Sequence, residues 1–109
     1  MGKTTVVVAE IMDDTRRLFQ VVSEHLKKAK RETGLTGPQL WAIKMIGDLS
    51  PVRVSDLAAR MYLHPATVVG ILNRLELQSL INRMRTNEDR RVVKVTLTDA
   101  GNAIVAKAP

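Results

Sequence analysis

The run Asp89-Arg90-Arg91-Val92-Val93-Lys94-Val95-Thr96-Leu97-Thr98-Asp99-Ala100-Gly101 narrows the fold more than any other part of the chain. Val93, Val95 and Leu97 are apolar at period two, with Lys94 and Thr96 between them, as a half-buried strand requires. Thr98 is placed to cap a following helix, and Asp99 suits that helix's first turn. Upstream, Ile81-Asn82-Arg83-Met84-Arg85 is a second short strand, and Thr86 to Arg90 are polar and charged turn formers. The two segments make a small hairpin with arginines at its tip. A hairpin of this kind behind two helices is a wing, and wings reach nucleic acid.

Charge agrees with that placement. Lys and Arg number 17 against 11 Asp and Glu, for a net charge of +6. Such a balance favours a polyanionic partner. The excess is local. Arg83, Arg85, Arg90, Arg91 and Lys94 crowd the hairpin against Glu88 and Asp89, whereas Thr36 to Leu77 is nearly balanced.

With 109 residues the chain holds one domain with a modest core. It has no cysteine, which excludes disulfides, thiol chemistry and cysteine-ligated metal. The opening apolar run Val6-Val7-Val8-Ala9 ends at Glu10, too short for a signal peptide or a membrane span, so a cytoplasmic location without membrane contact is expected.

The helical segments come in order. Val7, Ile11, Leu18, Val22, Leu26 and Ala29 share one face of a long helix from Val7 to about Glu32, closed by basic residues and Gly34. Thr36-Gly37-Pro38-Gln39 matches a capping box, and its helix carries Leu40, Trp41, Ile43, Met45 and Ile46 to near Gly47, with Trp41 expected in the core. After the extended Pro51-Val52-Arg53-Val54, Ser55 is expected to cap a short helix with Leu57, Ala58 and Met61 inward. A turn at Tyr62-Leu63-His64 leads to Pro65 and a helix to about Leu77. Two short helices joined this way are a helix-turn-helix.

On a helical wheel of the second helix, Val68, Ile71, Leu72 and Leu75 fall on one side. Ala66, Thr67, Gly70, Asn73 and Arg74 fall on the other. Small residues let a helix sit deep in a major groove, while Thr67, Asn73 and Arg74 can reach base edges or phosphates.

Catalysis finds little support, and no enzyme activity is expected. Gly2-Lys3-Thr4 resembles the tail of a phosphate-binding loop, but that motif needs an upstream glycine and a preceding strand. There are two histidines, His25 and His64, and no clustered nucleophile and base. No cofactor or metal is expected.

The order helix, helix, strand, helix-turn-helix, hairpin, helix resembles the MarR family (multiple antibiotic resistance regulators) of winged-helix transcription factors. Leu35-Thr36-x-x-Gln39 looks like the opening of the family's second helix, and Val54-x-x-Leu57-Ala58 like the entry to its helix-turn-helix. Thr67-Val68 and Asn73-Arg74-Leu75-Glu76 resemble its recognition helix. Asp89-x-Arg91-x-x-x-Val95-x-Leu97-Thr98-x-x-Gly101 is similar to its wing signature at every fixed position. Val69 and Gly70 stand where many relatives carry a threonine and a basic residue.

The resemblance implies a mainly α fold with a small β-hairpin wing (α+β), a winged helix-turn-helix. It divides the chain into an N-terminal dimerisation helix (1–34), a DNA-binding domain (35–97) and the start of a C-terminal helix (98–109). It implies a transcriptional regulator, in the first instance a repressor, that binds pseudo-palindromic double-stranded DNA as a homodimer. The helix 65–77 would enter the major groove and the wing 82–94 the minor groove. The implied contact residues are Pro65, Ala66, Thr67, Val68, Gly70, Asn73, Arg74, Arg83, Asp89, Arg90 and Arg91, with Asp89 orienting Arg91. Relatives continue into a long C-terminal helix, so a fragment or a shortened member is expected here. A small organic effector is implied, for which Arg16, His25, Trp41 and Met45 are candidates by element position alone. The alternative is a winged-helix module that binds protein instead of DNA.

Overall fold

The computed structural model describes residues 2–89 and 91–107. The elements follow the expected order: α1 (Lys3–Thr33), α2 (Gly37–Leu49), β1 (Val52–Arg53), α3 (Val54–Met61), α4 (Pro65–Leu77), β2 (Ile81–Arg85), β3 (Val93–Leu97) and α5 (Asp99–Lys107). Among the described residues, five helices and a small antiparallel sheet make this the mainly α, winged helix-turn-helix architecture read from the sequence.

Local chemistry explains most boundaries. Gly34 ends α1 in the left-handed region (φ 76°), and its N–H donates to the Lys30 carbonyl at 2.8 Å. Thr36 and Gln39 close the capping box reciprocally: Gln39 N donates to Thr36 Oγ1 at 3.4 Å and Thr36 N to Gln39 Oε1 at 3.1 Å. Thr98 Oγ1 accepts from Gly101 N at 3.0 Å and so caps α5.

The cap of α3 departs from the sequence expectation. The N-cap is Arg53, with no side-chain cap, and Ser55 lies inside the first turn. Sheet pairing sets this boundary. Arg53 is held extended opposite Lys94, so helical geometry begins at the next residue, Val54.

The core lies where α2, α3, α4 and the sheet meet. Leu35, Ile43, Ile46, Leu57, Met61, Leu72, Leu75, Ile81 and Val95 are fully buried there. Trp41, expected inside, is 42% exposed. The buried stripe of α2 is Gln39, Ala42, Ile43 and Ile46, and Trp41 lies off it. Val68 is corrected in the opposite sense. It is 0% exposed and packs in this core, so it makes no direct contact with a partner. The apolar side of the wheel decided its position.

The sheet has the order β1-β3-β2. Ile81 pairs with Leu97, Arg83 with Val95 and Arg85 with Val93. Directly opposed residues share a face, so Ile81, Arg83 and Arg85 project to the side on which Val95 is buried. Ile81 enters the core, while Arg83 sits at its margin, only partly exposed.

Along α1 only Ala29 is buried. Val7, Ile11, Leu18, Phe19, Val22 and Leu26 stand exposed on this 31-residue helix. No described helix is long and apolar enough to cross a membrane.

Candidate nucleic-acid interface

The wing is organised by its tip. Thr86 N donates to the Val92 carbonyl at 3.2 Å, and Thr86 Oγ1 to the Asp89 carbonyl at 2.7 Å. Asp89 N returns a bond to Thr86 Oγ1 at 3.1 Å. Arg91 follows with its side chain 91% exposed, its guanidinium held on the Asp89 carboxylate with Nε to Oδ1 at 3.2 Å. The Arg91 backbone N–H also donates to Asp89 Oδ1 at 2.9 Å, so the carboxylate holds Arg91 through both its main chain and its side chain. Those two bonds, backbone first, and the nearby Arg53 charge hold the Asp89 pKa below the ordinary aspartate value. Arg90 lies outside the described residues.

Helix α4 begins at His64, whose ring Nδ1 accepts from Ala66 N at 3.1 Å, and Pro65 follows at the first helical position. Pro65, Ala66, Thr67, Gly70, Asn73 and Arg74 are exposed. A Cβ placed at Gly70 would meet nothing within 4 Å. The outer face of α4 is thus low at its start and polar further on.

Between the start of α3, the outer side of α4 and the wing is a concavity of about 470 Å³. Pro65 and Val69 line one wall, Val54 and Ser55 another, and Arg83, Arg85, Arg91 and Arg53 surround it. A second recess, of about 550 Å³, opens beside β1 among Arg53, Arg60 and Lys94, with Asp56. Arg53 lines both. Positive groups on a concave wall concentrate negative partners.

Arg83 and Asn73 are placed differently from the other expected contact residues. Arg83 bridges the wing to α4, with Nε to Glu76 Oε2 at 2.9 Å and Nη2 to Asn73 Oδ1 at 2.7 Å. The hydrogen bond to Arg83 lowers the Glu76 pKa, and the same bond raises that of Arg83. Arg83 thus carries much of its charge against a carboxylate within the chain.

Sequence reasoning omitted Arg53 and Arg85 from the contact set. Arg85 was visible in the basic hairpin, and period two puts it on the same face as Arg83. Arg53 had no local signal. Its strand is two residues long and exists only by pairing with β3. The effector candidates are not assembled by α1: the recess at His25 and the one at Arg16 are each lined by α1 residues alone.

A short helix pair, an exposed second helix and an arginine-tipped hairpin define a winged helix-turn-helix protein. The chain belongs to the MarR family, whose family model matches residues 35–93. It is 30% identical over 96 residues to the HTH-type transcriptional repressor MdtR of Bacillus subtilis (strain 168), covering 88% of this chain and 62% of that one. The chain therefore spans less than two thirds of that relative's length. Among solved structures it resembles a MepR-like protein complexed with pseudoligands, with TM-score 0.79 and 31% identity over 93% of this chain and 71% of that one. It also resembles the transcriptional repressor CouR bound to a 23-mer DNA duplex, with TM-score 0.78 and 25% identity over 87% of this chain and 67% of the other.

Proposed function

We propose that this chain is the DNA-binding part of a transcriptional regulator of repressor type that recognises pseudo-palindromic double-stranded DNA. The observation that carries this reading is the concavity in which Arg53, Arg85 and Arg91 converge beside the exposed face of α4, with Arg83, paired to Glu76, also in its lining. Helix α4 enters the major groove through Thr67, Gly70, Asn73 and Arg74, with Pro65 and Ala66 at its mouth. The wing carries Arg91, oriented by Asp89, to the adjacent minor groove, and Arg90 joins it there. A narrow, A·T-rich minor groove concentrates negative potential and suits such an arginine. The similarity to a repressor solved on a DNA duplex supports the same reading. No catalytic role is proposed, and the relatives are regulators, not enzymes. A cytoplasmic location goes with a DNA target.

A homodimer completes the arrangement. In this reading residues 1–34 supply dimerisation and residues 35–97 the DNA-binding domain, and α5 (Asp99–Lys107) begins the C-terminal helical segment. Exposed Val7, Ile11, Leu18, Val22 and Leu26 on α1 form a surface of the kind that a second copy covers. Two α4 helices then lie about one DNA turn apart. A small organic effector is part of this proposal; the similarity to CouR, solved with p-coumaroyl-CoA, supports it (26% identity, TM-score 0.73).

The test is fluorescence anisotropy of labelled duplex DNA at low and physiological salt, with sedimentation run in parallel. Salt-sensitive binding by a dimer is the expected result. A well-formed dimer that leaves DNA unbound would overturn the reading in favour of a protein partner.

A further inference from the structure

Three side chains at the joint between α4 and the wing form a connected set. Arg83 donates from Nε to Glu76 Oε2 at 2.9 Å, and from Nη2 to Glu76 Oε1 at 3.1 Å and to Asn73 Oδ1 at 2.7 Å. Sheet register explains why the arginine reaches. Arg83 lies opposite Val95 on the core-facing side of β2, so its side chain runs along the core margin toward α4. Glu76 is three residues after Asn73, one helical turn further on the same face.

The chemistry of the guanidinium settles how Asn73 is turned. Arginine has donors only, so it must face the oxygen of the Asn73 amide. A flipped amide would set donor against donor. The two-point hold by Glu76 fixes the guanidinium plane and, with it, the amide. Among the described residues Asn73 Nδ2 donates to none, which leaves both its protons for a partner outside the chain. Asn73 also stands in the exposed row Thr67, Gly70, Asn73, where Gly70 leaves open space for a flat edge to approach.

An asparagine that reads adenine uses both ends of its amide. Nitrogen donates to N7 while oxygen accepts from the N6 amino group. Here one of the two lone pairs of the oxygen accepts from Arg83 at 2.7 Å, and the cationic guanidinium beside it disfavours a second donor, such as the adenine N6 amino group, at the other. We propose that Arg83 makes Asn73 a donor-only reader, matched to guanine, whose N7 and O6 are both acceptors, and mismatched to adenine. Asn73 is then the specificity-determining residue and Arg83 a positioning residue acting through it. This rests on the reading of α4 as the major-groove helix.

The test is selection from a library of randomised pseudo-palindromic duplexes, sequenced after binding. It compares the unmodified chain with Arg83→Met and Asn73→Asp. Arg83→Met keeps the apolar stem and frees the amide. Asn73→Asp still accepts from Arg83 but has no proton to give. The unmodified chain is expected to favour guanine over adenine at one base pair of each half-site by about fivefold or more. Arg83→Met should admit adenine at that base pair and leave the other positions unchanged. Asn73→Asp should abolish the guanine preference there.

Circular dichroism checks that each variant is folded. Should Arg83→Met not fold, Asn73→Asp decides alone, because it keeps the bond to Arg83. A preference for adenine in the unmodified chain, or a motif that neither variant alters, overturns the proposal. An unaltered motif with uniformly weaker binding assigns Asn73 to a phosphate instead. If the unmodified chain enriches no motif at all, the major-groove reading itself fails and this inference goes with it.

Discussion

Arg91 is tied to Asp89 at two levels: its backbone N–H donates to Oδ1 at 2.9 Å and its side-chain Nε to the same oxygen at 3.2 Å. The carboxylate thus shapes the tip and aims the side chain together. Nothing in the core depends on Arg91, which is exposed. Arg91→Ala should therefore weaken DNA binding by roughly 1–3 kcal/mol with the fold intact. Anisotropy titration with a circular dichroism control checks this. Undiminished affinity in a folded variant removes the wing tip from the mechanism.

The same pair gives a pH dependence. The hydrogen bonds from Arg91 and the charge of Arg53 lower the Asp89 pKa in the folded wing. A depressed carboxylate stabilises the fold where it is charged. Its contribution is fully present above the unfolded aspartate value, near 3.9, and is lost as pH falls through the lower folded value. The Arg91 amide resonance should consequently titrate with a midpoint below the ordinary aspartate value. Asp89→Asn should remove that transition. A midpoint at or above the ordinary value would show that Arg91 does not hold Asp89 in solution.

Gly101 is the last fixed position of the wing signature, and the structure supplies its reason. A Cβ there would overlap the Leu80 carbonyl oxygen. The close approach lets the start of α5 lie on the turn before β2, where Thr98 N donates to that same carbonyl at 3.1 Å. Gly101→Ala must push α5 away or bend the turn. A loss of about 1–3 kcal/mol in denaturant unfolding is expected, as for other overpacked sites. An unchanged midpoint would mean that α5 moves freely enough to absorb the methyl group.

These cases show what sequence could and could not disclose. The strands, the capping box and both helices of the helix-turn-helix were legible because each is set by local periodicity or a neighbouring cap. Asp89 and Arg91 were legible because they are two residues apart. The start of α3 was not, since β1 exists through Val52 and Arg53 pairing with Val95 and Lys94. Arg83 was legible as a basic residue but not as a bridge, because its partners lie seven and ten residues away across a turn. Trp41 was misplaced by residue type: a large aromatic predicts burial, but the packed stripe of α2 runs through Ala42 and Ile43.

Neighbouring residues on α4 should separate recognition from stability. Thr67 is exposed and Val68 fully buried. Thr67→Ala should relax sequence preference at one base pair while leaving the unfolding midpoint within about 0.5 kcal/mol. Val68→Ala should cost roughly 2 kcal/mol of stability, from lost transfer energy and the cavity left behind, without altering the selected motif. Parallel unfolding and site-selection measurements would show this. The assignment of faces on α4 fails if the two variants exchange these effects.

Salt dependence should show which arginines meet phosphates. Binding that displaces counterions weakens log-linearly with salt, and each phosphate contact removed lowers the slope by about 1. Arg53 lines both basic recesses, and its side chain is not needed to start α3, which begins without a side-chain cap. Arg53→Ala should then reduce the slope by about 1 and weaken binding nearly equally across sequences. Arg83 should behave otherwise. Its charge is already met by Glu76 at 2.9 Å, so Arg83→Met should leave the slope almost unchanged while altering base preference. Equal slopes for Arg53→Ala and the unmodified chain would place the phosphates elsewhere, and a slope change confined to Arg83→Met would show that its ion pair opens on DNA.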